Sequence, residues 1–252
     1  MGTCSLLCAM RLHRPSRRSS RPLGRLALAG FGAVVFVACT PDPVTERGGR
    51  VEGLYQLFSV IAVVVFAVVV GLIGWAILRY RSKDDELPDQ FRGNVKLELV
   101  WFAIPQVIVI VLFAVSMMTQ SEVADEFEDP DVTIESVAFR WGWRFTYADE
   151  DVAIVGTAED PPEIVVPVDQ DLAFELKARD VIHNFYVPRF LIKRDMIPGR
   201  TNRLDFSVDE PGTYDGLCAE FCGLLHYDMT FTIRAVPADE FEPWLSDQRE
   251  AG

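Results

Sequence analysis

The chain has 252 residues, half of them hydrophobic, with 24 Lys and Arg against 37 Asp and Glu and a net charge of −13. The charge is unevenly placed: 13 basic and 8 acidic residues precede position 120, whereas 11 basic and 29 acidic residues follow from it. An acidic excess of that size speaks against nucleic acid or an anionic membrane surface as partner of the second part and favours steering of a basic protein.

Residues 1–38 read as an export signal. Six arginines lie between Arg11 and Arg25, and the 13 uncharged residues Leu26 to Ala38 are too few to span a bilayer but fit an h-region. Val37-Ala38-Cys39 resembles a lipoprotein cleavage site that would leave Cys39 acylated at the start of an outer segment 39–53. Leu54 to Leu78 and Leu99 to Ser121 carry no charge and are apolar on every face, so transmembrane helices are expected over 54–78 and 99–121, with Pro105 inside the second. The loop 79–98 between them carries Arg79, Arg81, Lys83, Arg92 and Lys96, which places it in the cytoplasm and residues 120–252 outside.

Beyond residue 121 the apolar period changes to two, broken by Asp160-Pro161-Pro162, Pro198-Gly199 and Pro211-Gly212. An antiparallel sandwich or barrel is expected over 122–236, with a helix and tail over 237–252. Phe139, Trp141, Trp143, Phe145 and Tyr147 read as one apolar strand face, with Gly142 a candidate bulge. Tyr227, Met229, Phe231 and Ile233 read as another, pointing inward.

Once the signal is removed and Cys39 is set aside as the terminal residue, the soft metal donors are few: Cys218, Cys222, His183, His226 and nearby Met229. Thiolate, imidazole and thioether together select copper over magnesium, calcium or manganese. A mononuclear blue-copper site uses one cysteine, so a second points to a pair of coppers bridged by both sulfurs, each metal keeping one histidine. A disulfide or a zinc site remains an alternative for the cysteines, although neither uses Met229.

The string Cys218-Ala219-Glu220-Phe221-Cys222, with His226 and Met229 behind it, resembles subunit II of cytochrome c oxidase and its binuclear CuA centre. So do Asp180-Val181-Ile182-His183, Ile197-Pro198-Gly199-Arg200 and Glu98-Leu99-Val100-Trp101, and the likeness runs from about residue 50 to 245. The resemblance implies a two-helix hairpin followed by a cupredoxin-like Greek-key β-sandwich. It also implies that His183, Cys218, Cys222, His226, Met229 and the main-chain oxygen of Glu220 bind two coppers. The Glu220 carboxylate would reach a magnesium ion shared with the catalytic subunit, and Trp141 would receive electrons from cytochrome c. Glu98 would sit at a proton-uptake path, although an acid at a helix end is ordinarily a solvated residue. Tyr186 and Gly142 depart from the family pattern, standing where Trp and an aromatic are common.

The implied assembly is an aa3-type, proton-pumping oxidase of the bacterial cell membrane, with haem confined to the partner and no oxygen-reducing site in this chain. Its partners would be catalytic subunit I, subunit III and a soluble or membrane-bound cytochrome c, with membership of a respiratory supercomplex compatible. A quinol oxidase subunit would lack the copper ligands. A nitrous oxide reductase would need a histidine-rich cluster that two histidines cannot build, and a copper store would need exchangeable ligands. No Cys-x-x-Cys-His string for attached haem occurs.

Overall fold

The computed structural model describes residues 42–81, 92–148, 150 and 152–251. The expected signal segment, Cys39 and most of the loop between the helices lie outside the described residues. The first helix, α1 (Glu46–Arg79), starts where the Thr45 side chain accepts a hydrogen bond from the Gly48 amide, and the second, α2 (Val95–Ala124), where Asn94 accepts from Lys96 and Leu97. Both are longer than the uncharged runs inside them, because polar first turns add residues whose amides the caps satisfy. Each is long and apolar enough to cross a membrane, and α2 runs on through Pro105.

Ten strands follow: β1 (Val132–Phe139), β2 (Gly142–Tyr147), β3 (Val152–Thr157), β4 (Glu163–Pro167), β5 (Leu172–Ala178), β6 (His183–Val187), β7 (Ile192–Met196), β8 (Asn202–Phe206), β9 (Gly212–Cys218) and β10 (Thr230–Val236). They form two five-stranded sheets, ordered β3-β2-β1-β5-β8 and β4-β10-β9-β6-β7. Pairing is antiparallel except for β1 with β5 and β4 with β10, where the chain has crossed from one sheet to the other and back. The result is the expected cupredoxin-like Greek-key sandwich behind a helical hairpin.

Its core is an aromatic stack between the sheets. Trp143 and Phe145 of β2 meet Phe231 of β10 at 4.9 and 5.4 Å between ring centroids, and Phe231 lies 4.9 Å from Phe185 of β6. These rings are fully buried, and edge-to-face and stacked geometries at such distances add to the stabilisation from apolar burial. A C-terminal helix, α3 (Ala238–Ala251), closes one end by burying Phe241 and Leu245 near Tyr147.

Two readings of the strands are corrected. Phe139 to Tyr147 is not one strand: the chain reverses at Arg140–Trp141, a cis peptide, and Phe139 pairs with Gly142 across a two-residue turn. Trp143, Phe145 and Tyr147 do face the core, whereas Phe139 lies on the outer face of β1 and Trp141 sits in the turn. Gly142 serves close approach rather than a bulge, since a Cβ there would lie 2.3 Å from the Gly156 carbonyl oxygen. Likewise β10 starts at Thr230, so Met229 precedes it and is buried, while Tyr227 lies in a 3-10 turn, 75% exposed.

Candidate metal centre

Adjacent strands build one wall of the site. β6 and β9 are hydrogen-bonded neighbours in the second sheet, and Phe185 pairs with Cys218. That register brings His183, at the start of β6, beside Cys218, at the end of β9. The loop from Cys218 to Met229 supplies the other donors and is closed at its neck by the Cys218 amide donating to the Met229 carbonyl at 3.0 Å. Gly223 turns it with φ of +121°, a conformation open to glycine.

The donor atoms converge. Cys218 Sγ lies 3.8 Å from His183 Nδ1 and 3.9 Å from Cys222 Sγ. Cys222 Sγ lies 3.6 Å from His226 Nδ1 and 3.7 Å from Met229 Sδ. The main-chain oxygen of Glu220 is 3.2 Å from Cys218 Sγ. Cys218 thus has the His183 imidazole and the Glu220 carbonyl within 4 Å, and Cys222 the His226 imidazole and the Met229 thioether. His183, Cys218, Cys222 and Met229 are buried, and His226 is half-buried under the exposed Phe221 ring.

The cysteines are free, and their sulfurs stand far outside the disulfide bond length of about 2.05 Å. Their separation is less than two metal–thiolate bonds of about 2.3 Å each, so both sulfurs can hold the same metal. Without metal the pair is electrostatically split. Burial raises the Cys218 thiol, but its hydrogen bonds with His183, the Glu220 and Asn184 main chain and His226 together prevail and bring it down to about 7. Burial and the neighbouring Cys218 push Cys222 upward. Bridging cations would favour loss of both protons.

Asp180 has no role in the sequence reading, yet the structure places it behind His183. Its Oδ1 is 2.9 Å from His183 Nε2, the nitrogen turned away from the sulfurs, and accepts from the Val181 amide; its Oδ2 accepts from the Arg140 amide at 2.8 Å. Desolvation raises this carboxyl, but the bonds from His183 and the two amides prevail and hold it at about 2. A carboxylate three residues before a candidate ligand histidine was the available signal.

Trp141 joins the site from the β1–β2 turn. Its Nε1 donates to the Cys222 carbonyl at 3.3 Å, and its ring packs where a Cβ on Gly223 would lie 3.0 Å away. The turn is therefore fastened to both halves of the donor set, through Trp141 to Cys222 and through Asp180 to His183. The Glu220 side chain is exposed, and Glu98 is exposed in the first turn of α2, outside the cluster.

The family description "Cytochrome C oxidase subunit II, transmembrane domain" matches residues 42–119, and "Cytochrome C oxidase subunit II, periplasmic domain" matches residues 156–236. The probable cytochrome c oxidase subunit 2 of Nocardia farcinica is 32% identical to the chain, the match covering 95% of this chain and 85% of that protein. That of Streptomyces avermitilis is 31% identical, covering 94% and 90%. Among solved structures, the periplasmic domain of subunit II of cytochrome oxidase from Bradyrhizobium japonicum is 31% identical with a TM-score of 0.47, covering 50% of this chain and 99% of that one. Since the family models cover more than half of the chain and a relative 32% identical matches it nearly end to end, the chain belongs to the cytochrome c oxidase subunit II family.

Proposed function

We propose that this chain is the electron-accepting subunit of a cytochrome c oxidase, with a binuclear copper centre held by His183, Cys218, Cys222, His226, Met229 and the main-chain oxygen of Glu220. The observation that carries this reading is the paired donor geometry, one imidazole and one weak donor beside each of two sulfurs 3.9 Å apart. When bound, the copper pair supplies one-electron transfer. The protein fills every ligand position with a side chain or carbonyl on a rigid sheet and a neck-closed loop, which leaves no open position for a substrate.

Asp180 fixes the His183 ring with Nδ1 toward the sulfurs, and burial keeps water from the cysteines. Trp141, bonded to the Cys222 carbonyl, is where electrons arrive from cytochrome c, which the acidic outer part of the chain attracts. The exposed Glu220 carboxylate reaches a magnesium ion shared with catalytic subunit I, where the haem, the oxygen chemistry and proton pumping reside. Glu98 stands at the mouth of a proton-uptake path in that subunit, on the cytoplasmic side, with the sandwich outside the bacterial membrane. Subunit III completes an aa3-type assembly.

Copper titration of the full-length chain in detergent tests the ligand set. Two coppers per chain are expected, with Cys222→Ser losing the paired site and its visible absorption. One copper per wild-type chain, unchanged by Cys222→Ser, would contradict it.

A further inference from the structure

Arg47 is the second residue of α1, where a positive charge opposes the helix's own dipole. It is nevertheless only 8% exposed. Its Nη1 donates to the Val123 carbonyl at 2.9 Å, one of the last carbonyls of α2, a helix with no basic residue in its own final turn. Its guanidinium lies 4.7 Å over the Phe127 ring. Phe127 is the lone aromatic in the acidic linker 125–131 between α2 and β1, and both its backbone groups are held by the sandwich. Its amide donates to Asp205 Oδ2 at 2.7 Å, and its carbonyl accepts from Arg203 Nη2 at 2.7 Å. Asp205 is 1% exposed and is itself paired with Arg203.

The segment before α1 is tied to the same body. Val44 is buried, its amide donating to the Arg189 carbonyl and its carbonyl accepting from the Asp209 amide at 2.9 Å. Thr45, which caps α1, also donates its hydroxyl to the Phe190 carbonyl at 3.3 Å.

We infer that Arg47 is a positioning residue: by joining the outer ends of α1 and α2 to Phe127, it clamps the β-sandwich to the membrane hairpin at a fixed attitude. The linker itself, with five acids in seven positions, offers little apolar surface to hold the two parts together, so the clamp adds to the main-chain ties at Val44, Thr45 and Phe127. The consequence for electron transfer rests on the copper reading above, because a centre on a fixed domain keeps its distance to an acceptor in the partner subunit. The clamp itself does not depend on copper.

Amide hydrogen exchange on the full-length chain in detergent, with and without copper, compares wild type with Arg47→Ala and Arg47→Lys. Exchange at the amides of Phe127 and Asp209 should be faster in Arg47→Ala by roughly ten- to hundredfold, the range that loss of a charge-assisted hydrogen bond gives. Arg47→Lys should fall between, keeping charge but losing the planar stack. In the assembled oxidase, Arg47→Ala should slow electron transfer from copper to the partner's haem while the copper hyperfine pattern stays as in wild type. Wild-type exchange rates in Arg47→Ala would overturn the clamp. If that variant fails to accumulate, Phe127→Leu, which removes the ring under Arg47 but keeps the Arg47–Val123 bond, should speed exchange at the Asp209 amide by a smaller factor, and wild-type rates there would overturn the clamp. Faster exchange in a protein that shows no paired copper signal would leave the clamp standing and sink the copper reading instead.

Discussion

Asp180 acts at the scale of a single contact with large leverage. An imidazole binding metal through Nδ1 presents its other nitrogen outward, and a carboxylate 2.9 Å away fixes which nitrogen carries the proton. Asp180→Asn keeps the shape and removes the charge. It is expected to weaken copper binding by about ten- to hundredfold and to shift the visible spectrum, as read by competition with a copper chelator. Unchanged affinity would remove Asp180 from the site. The proposed ligands could be picked out because soft donors are scarce in this sequence and closely spaced around Cys218. Asp180 was marked only by its place three residues before His183, a weak signal among 37 acidic residues until the fold turns it toward the ring.

At the scale of the element, β4 is an edge strand whose outward backbone needs a partner. Tyr147 provides it, donating its hydroxyl to the Val165 carbonyl at 2.6 Å and accepting from the Val165 amide at 3.1 Å. Burial pushes this phenol well above its ordinary value of 10.0. A group whose folded pKa is raised contributes stability that is complete below the unfolded pKa and is lost as pH rises beyond it. Thermal unfolding should therefore show wild-type stability falling above about pH 10, with a shallower fall in Tyr147→Phe. That variant should also lose about 1–3 kcal/mol at neutral pH through two unpaired backbone groups. Identical pH profiles for the two proteins would contradict this account.

The long apolar helices and the β-sandwich were readable from period and length. The β1–β2 turn was not, because aromatic residues at every second position continue straight through a two-residue reversal. Phe139 and Trp143 share a parity in sequence yet face opposite sides of the sheet. Gly142 marked the place, but absence of a side chain is compatible with a bulge or a close approach.

For the whole molecule, charge and anchoring divide the work. The hairpin holds the chain in a membrane, and the part beyond residue 120 carries 29 of the 37 acidic residues, with the candidate copper loop at one end of the sandwich. If the donor is the basic cytochrome c proposed above, its attraction to such a surface is screened by salt. The second-order rate of its oxidation by the assembled oxidase should fall roughly tenfold or more between about 0.01 M and about 0.15 M ionic strength, as the Debye length shortens from about 30 to about 8 Å. A rate indifferent to salt would assign the acid to solubility alone.

The central claim, a copper pair shared by Cys218 and Cys222, is tested most directly by electron paramagnetic resonance of the copper-loaded full-length chain. A seven-line copper hyperfine pattern is expected, from one unpaired electron spread equally over two copper nuclei. A four-line pattern from a single copper, or no copper signal with the two cysteines joined as a disulfide, would contradict it.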